Sequence, residues 1–77
     1  MSVFVDTSAL LAVLDADDAH HAAAAAMWRR LLDADEPLLI TSYVLVETFA
    51  VTQRRLGMEA VRVLARDVIP LLEVEWI

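Results

Sequence analysis

The stretch VFVDTSALLAVL, residues 3–14, places a carboxylate in the middle of an apolar part of the chain. Its first three residues, Val3–Val5, are β-branched or aromatic without polar alternation, which is the pattern of a short buried strand. Asp6 ends this run, and apolar residues resume two positions after Thr7. We therefore predict a strand followed by a helix over Thr7–Leu14, with Asp6 or Thr7 as the helix N-cap.

The remainder of the chain repeats this alternation of strand and helix. Short apolar strands separated by helices favour a parallel sheet covered by helices. The alternating sequence EVEWI near residue 77 indicates an edge or half-exposed strand. The predicted order is β-α-α-β-α-α-β, with later elements over Ala19–Leu32 (helix), Leu38–Ile40 (strand), Tyr43–Leu56 (helix), Met58–Ile69 (helix) and Val74–Ile77 (strand).

Local signals give the ends of these helices. The acidic loop DADD, residues 15–18, is expected to supply the cap of the second helix, and Thr41 or Ser42 that of the third. Gly57 is a natural residue for ending the third helix, because glycine adopts positive φ without strain.

Composition restricts the classes of protein that fit. The 77 residues suffice for one small domain or part of one, and they include no cysteine, so disulfides and thiolate metal sites are excluded. Charged residues interrupt every apolar run, so we expect a soluble protein without a membrane span, and a reducing cytoplasm fits. The net charge is −6 and every cation is arginine. Binding to a nucleic acid would therefore need a divalent metal ion, a basic partner or a further basic segment to offset the carboxylates.

Two acidic residues follow the first two predicted strands. Asp6 comes after the first strand, and Glu47 lies in the helix after the second. The carboxyl ends of adjacent parallel strands share one edge, where ligands bind in open sheets. Carboxylates there suit Mg²⁺ or Mn²⁺. Asp6 can instead be only a helix cap, or serve both roles, since a cap uses one oxygen and leaves the other free; Thr7 and Ser8 can contact a metal, a water or a substrate phosphate, or only cap the first turn.

The apolar surroundings of Glu47, in YVLVETFAV, predict a helix that is buried on nearly all sides. A glutamate in such a helix needs a cation or must be protonated, whereas Arg54, two turns on, is expected to reach solvent. Trp28 and Trp76 are assigned to the core by default. Neighbouring histidines, residues 20–21, cannot chelate a metal together and are expected at a solvated helix start.

Two segments resemble the PIN-domain family and, within it, the VapC-type toxins of bacterial toxin–antitoxin pairs. They are VFVDTSALLAVLDADDAHHAAA, residues 3–24, and LLITSYVLVETFAVTQRRLG, residues 38–57. The resemblance implies an α/β/α sandwich with a parallel sheet and a Mg²⁺- or Mn²⁺-dependent endoribonuclease. By this resemblance Asp6 and Glu47 are catalytic metal ligands, and Thr7 or Ser8 matches a hydroxyl position beside the first acid. It also implies a dimer and a cognate antitoxin.

The family's remaining acidic residues come from a region later than residue 77. We therefore expect residues 1–77 to be the N-terminal portion of a single PIN-like domain, with about three strands and four helices and without activity on its own. The first strand is central in the family's sheet, so Val3–Val5 should expose an apolar edge that pairs with another chain. A non-catalytic fragment that acts through self-association or antitoxin binding is one alternative, and an unrelated α/β binding module is another.

Overall fold

The computed structural model describes residues 2–77, and these contain three strands and four α-helices in the predicted order. Between the last helix and the last strand the chain forms a π-helical segment and a short 3-10 turn. The bounds are β1 Val3–Phe4, α1 Thr7–Leu14, α2 His21–Asp33, β2 Leu38–Thr41, α3 Ser42–Leu56, α4 Met58–Val63, the π segment Leu64–Val68, the 3-10 turn Ile69–Leu71 and β3 Glu73–Glu75.

The three strands form one parallel sheet in the order β1-β2-β3, which confirms the predicted α/β class. The central strand β2 is buried throughout its first three residues, as its uninterrupted apolar sequence requires. β3 is an edge strand, as its alternation predicts, although it ends at Glu75. The paired residues are Val3 with Leu38, Phe4 with Leu39, Leu39 with Glu73, Ile40 with Val74 and Thr41 with Glu75.

The hydrophobic core joins the sheet to α1 and to the segment after α4. Leu10, Ile40 and Leu64 come from these three parts of the fold, and all are completely buried. Each contributes about 1.5–3 kcal/mol relative to an exposed side chain. The fourth helix was predicted to run to Ile69, but its regular α-helical part ends at Val63.

Helix caps are mostly as predicted. The side chain of Asp6 accepts a hydrogen bond from the amide of Ala9, and that of Thr41 accepts one from Val44. Gly57 ends α3 with a φ of 89°. The prediction that the acidic loop caps α2 is wrong. Asp18 Oδ1 accepts a hydrogen bond from the amide of His20, so it stabilises the turn before the helix instead.

The prediction that α3 is buried on all sides is wrong. Its completely buried residues are Thr48 and Thr52, whereas Tyr43 and Val46 are 70% and 68% exposed. The helix packs on α1 and the sheet through one face, and within residues 2–77 no element covers the opposite face. Periodicity describes the helix, but the burial of each face depends on distant parts of the chain.

An apolar groove of about 210 Å³ runs between β1, α1 and α2. α2 buries none of its residues completely, because its apolar face, including Met27 and Trp28, lines this groove. β1 was predicted to be a buried strand, yet Phe4 is 63% exposed and only Val5, just beyond it, is buried. Within the described residues, the outer edge of β1 is therefore apolar and uncovered. This agrees with the expectation that Val3–Val5 expose an apolar edge.

Across residues 2–77, no helix has both the length and the apolar character needed to cross a membrane.

Candidate functional site

Asp6 lies just beyond β1 and serves as the N-cap of α1. Its Oδ1 atom accepts hydrogen bonds from the amide of Ala9 at 2.9 Å and the hydroxyl of Ser8 at 3.1 Å. No residue of the described chain donates to its Oδ2 atom. Capping therefore uses one oxygen of this exposed carboxylate and leaves the other available to a cation.

Glu47 is joined to this region by one long-range hydrogen bond. Thr7 Oγ1 donates to Glu47 Oε1 at 2.8 Å across 40 positions of sequence. Thr7 begins α1, which follows β1, and Glu47 lies in the second turn of α3, which follows β2. The bond thus brings Glu47 beside the residue that follows Asp6, at the carboxyl edge of the sheet. Their roles as metal ligands stay predictions.

Thr48, which sequence reasoning missed, supports Thr7 from inside the protein. Its completely buried hydroxyl lies 3.1 Å from Thr7 Oγ1 and donates to the carbonyl oxygen of Val44 at 2.7 Å. A hydroxyl carries a single proton, and that of Thr7 goes to Glu47 while that of Thr48 goes to Val44, so the two hydroxyl oxygens are close neighbours whose protons point to other acceptors. The signal available in the sequence was the spacing of four between Thr48 and Thr52, which places both threonines on one face of the helix.

The prediction that Glu47 is buried and needs a compensating cation or proton is wrong. Glu47 is exposed, since the face of α3 that carries it is uncovered, and water can solvate the carboxylate directly. Arg54 is exposed, as predicted. Within residues 2–77 Glu47 makes no ion pair, and its Oε2 atom accepts no hydrogen bond.

The two carboxylates line different surface depressions. Asp6, Ser8 and His20 line one of about 490 Å³. Glu47 lines a second of about 680 Å³, together with Tyr43 and Trp76 and with three further residues, Ser42, Val46 and Ile77. The assignment of both tryptophans to the core is therefore half wrong. Trp28 packs against the core, whereas Trp76 is 80% exposed.

His21 has a structural role that adjacency in sequence did not reveal. Its Nδ1 atom lies 2.7 Å from the carbonyl oxygen of Ala12, so Nδ1 carries the proton and donates it. This bond ties the start of α2 to α1. The expectation of a solvated helix start fits His20, which is exposed, and is wrong for His21, which is partly buried.

The donor atoms at the sheet edge fit a hydrated hard cation. Among residues 2–77 no group of three His, Asp or Glu side chains converges on one point. Asp6 and Glu47 nevertheless each retain an oxygen without a hydrogen bond, and both are open to solvent. Mg²⁺ is commonly held by one or two carboxylates, with water and substrate phosphate oxygens completing its shell. The residues present therefore suit Mg²⁺ or Mn²⁺ and do not form a closed cage.

Comparison with known proteins agrees with the fold. The profile of the PIN domain family matches residues 3–77. The chain is also similar to VapC20 of Mycobacterium tuberculosis, a toxin that cleaves the sarcin-ricin loop, with 32% identity and a TM-score of 0.73. The match covers 96% of this chain and 55% of VapC20, so the chain spans about half that relative's length. No curated protein sequence matches. Because the family match extends over almost the whole sequence and the structure agrees with that of a VapC toxin, the chain belongs to the PIN-domain family.

Proposed function

We propose that this chain belongs to the toxin of a toxin–antitoxin pair and contributes Asp6 and Glu47 to the metal site of an endoribonuclease. The reaction is hydrolysis of RNA phosphodiesters with Mg²⁺ or Mn²⁺. The single observation that carries the proposal is the Thr7–Glu47 hydrogen bond, which joins the segments after β1 and β2 at the sheet edge. Residues 1–77 are proposed to form the N-terminal part of one PIN-like domain, which agrees with the partial coverage of VapC20.

The roles of the residues follow from their contacts. The free oxygens of Asp6 and Glu47 would hold the cation, and Thr7 orients Glu47 through its hydroxyl. A divalent cation bound there would stabilise the negative charge that develops on the phosphate during hydrolysis, and would lower the pKa of a bound water. Thr7 and Ser8 occupy the first turn of α1, where free backbone amides and the helix dipole favour a phosphate.

Charge makes this proposal testable. The chain has a net charge of −6, so its own side chains repel an RNA backbone overall. We expect the toxin that contains this chain to cleave single-stranded RNA only with Mg²⁺ or Mn²⁺, and cleavage to stop when EDTA removes the metal.

The matched variants are Glu47→Gln, Asp6→Asn and Glu59→Gln, of which the last removes an exposed carboxylate on α4. We expect Mn²⁺ affinity, measured by isothermal titration calorimetry, to fall at least tenfold in the first two and to stay unchanged in Glu59→Gln. Equal Mn²⁺ affinity in all three variants would contradict the assignment of the ligands.

A second candidate function is association without catalysis. The observation that favours it is the uncovered groove beside β1, because exposed apolar surface of this kind is typical of an interface. This alternative predicts no Mn²⁺ binding at millimolar metal. It also predicts that Asp6→Asn and Glu47→Gln leave association with a partner unchanged.

We also propose that two copies of the chain pair along β1. An edge strand with unpaired backbone groups and an exposed Phe4 is a template for another strand. Phe4→Lys should convert a dimer to a monomer in light scattering, whereas Met58→Lys, which changes another half-exposed side chain on α4, should not. A wild-type protein that stays monomeric at high concentration would contradict this pairing.

The remaining partner is proposed from charge. A cognate antitoxin would present a basic side chain to the acidic depressions that contain Asp6 and Glu47. Antitoxin binding should then compete with Mn²⁺. The proposed cellular location is the cytoplasm, which agrees with the absence of cysteine from the sequence.

A further inference from the structure

A buried threonine lies directly behind the hydrogen bond that joins Thr7 to Glu47. The hydroxyl oxygen of Thr48 is 3.1 Å from that of Thr7, and Thr48 is completely buried on the helix α3, which packs against α1. Three side-chain oxygen atoms therefore follow one another from the interior of the fold to the edge of the sheet, in the order Thr48, Thr7 and Glu47.

The rotamer of Thr7 decides whether this series of oxygen atoms is continuous. Threonine carries a hydroxyl and a methyl group on the same carbon, and in helices its side chain divides between two rotamers. Thr7 is the first residue of α1, so no helical carbonyl of a preceding turn holds its hydroxyl. The observed rotamer turns the hydroxyl toward α3, where it donates to Glu47 Oε1 at 2.8 Å. A contact that selects this rotamer therefore also positions Glu47.

Glu47 alone is a weak anchor for the Thr7 hydroxyl. A glutamate side chain has three rotatable bonds, and fixing them costs conformational entropy. The side chain of Thr48 is instead held by complete burial and by the hydrogen bond from its hydroxyl to the carbonyl oxygen of Val44 at 2.7 Å. Thr48 is thus the rigid member of the series. Its polar oxygen favours the hydroxyl of Thr7 over the methyl group as a neighbour.

The protons of the series can be arranged so that they strengthen the bond to Glu47. The carbonyl oxygen of Val44 also accepts the amide of Thr48 within α3, so the Thr48 hydroxyl can turn toward Thr7 without leaving that carbonyl unpaired. Thr48 then donates to Thr7, which donates to the carboxylate. Hydrogen bonds that follow one another in this way polarise and strengthen each other, and the charged acceptor at the end favours this direction.

We propose that Thr48 is a positioning residue for the cation site: it selects the rotamer of Thr7 and, through Thr7, orients Glu47. The proposal rests on the metal site proposed above and adds to it a residue that is too deeply buried to bind the cation itself. Thr52 offers a matched comparison. It is equally buried four residues further along α3, and its hydroxyl has no partner among the described residues.

The rotamer of Thr7 is measured first, in the metal-free protein. Three-bond NMR couplings from the methyl carbon of Thr7 to its backbone nitrogen and carbonyl carbon report the χ1 angle. We expect a single rotamer in the wild type and in Thr52→Val, and averaged couplings in Thr48→Val. Thr48→Ser keeps the hydroxyl and should keep the single rotamer. An unchanged single rotamer in Thr48→Val would overturn the proposal.

Mn²⁺ affinity is measured on the same variants by isothermal titration calorimetry, under conditions where urea unfolding shows each of them to be folded. Thr48→Val should raise Kd several-fold, but by no more than Thr7→Val does, and Thr48→Ser should restore it. Thr52→Val should leave Kd unchanged. In a protein that already carries Thr7→Val, the further change Thr48→Val should not alter Kd, because its effect passes through the Thr7 hydroxyl.

The outcomes separate this proposal from the metal site on which it rests. Mn²⁺ binding that is weakened by Glu47→Gln but is equal in the wild type and Thr48→Val would overturn the role of Thr48 alone. Additive effects of Thr7→Val and Thr48→Val on Kd would also overturn it, since they would show that Thr48 does not act through Thr7. Absence of Mn²⁺ binding by the wild-type protein would overturn both proposals, even if the rotamer of Thr7 changes as expected.

Discussion

Two buried threonines of α3 allow the energetics of this fold to be tested with a matched pair. Thr48 and Thr52 are four residues apart on the same helix, and both are completely buried. The hydroxyl of Thr48 donates to the carbonyl oxygen of Val44 at 2.7 Å and contacts Thr7. The hydroxyl of Thr52 has no hydrogen-bond partner in the described part of the chain. The same substitution to valine should therefore have opposite effects at the two positions.

The magnitudes follow from the contacts. A buried polar group without a partner costs about 1–3 kcal/mol, and its replacement by an apolar group of the same shape relieves that cost. Thr52→Val should thus stabilise the protein by roughly 1 kcal/mol. Thr48→Val loses a satisfied hydrogen bond and should destabilise it by about 0.5–1.5 kcal/mol. Valine and threonine have similar helix propensities, so propensity cancels in the comparison.

Urea unfolding of the two variants and the wild type, at one protein concentration, measures both changes. The expected result is a higher midpoint for Thr52→Val and a lower one for Thr48→Val, with equal m-values. In thermal unfolding each kcal/mol corresponds to about 4–8 °C in a domain of this size, so the variants should differ by roughly 10 °C. Destabilisation of similar size in both variants would refute the reasoning, since it would mean that the Thr52 hydroxyl contributes a hydrogen bond.

Three further predictions concern the site and the helix ends. Asp6→Ala should lower the free energy of unfolding by about 1 kcal/mol because the α1 cap is lost, which urea unfolding measures. Asp6→Asn should keep the cap and therefore the stability, but lose Mn²⁺ affinity in calorimetry. Thr7→Val should weaken Mn²⁺ binding several-fold without unfolding the protein and Thr7→Ser should restore it, because only the hydroxyl holds Glu47; equal affinity in both variants would refute this. Gly57→Ala should cost about 1–3 kcal/mol in urea unfolding through its backbone conformation alone (φ 89°, ψ 178°), because an added Cβ meets no atom within 4 Å.

The features predictable from sequence are those decided by a few neighbouring residues. Asp6 and Thr41 cap their helices because a short polar side chain can reach an amide three residues on. Gly57 ends α3 because it alone tolerates the required φ. The parallel order of strands follows equally from short apolar runs separated by helices.

The features that sequence could not give depend on which distant surfaces meet. The apolar circumference of α3 is compatible with burial on every side, but its outer face, with Val46, is uncovered within residues 2–77. Trp76 was assigned to the core from its residue type alone, and within residues 2–77 it is 80% exposed. The capping failure at α2 is local, since Asp18 forms a turn with His20 in preference to a helix cap.

The exposure of Glu47 changes the argument for its function. A buried carboxylate in an apolar helix would have needed a cation to explain it, but an exposed one is an ordinary surface residue and needs none. The case for a metal ligand therefore rests on the Thr7 hydrogen bond, which fixes one oxygen of Glu47 beside the residue that follows Asp6, while the buried hydroxyl of Thr48 lies 3.1 Å from that of Thr7.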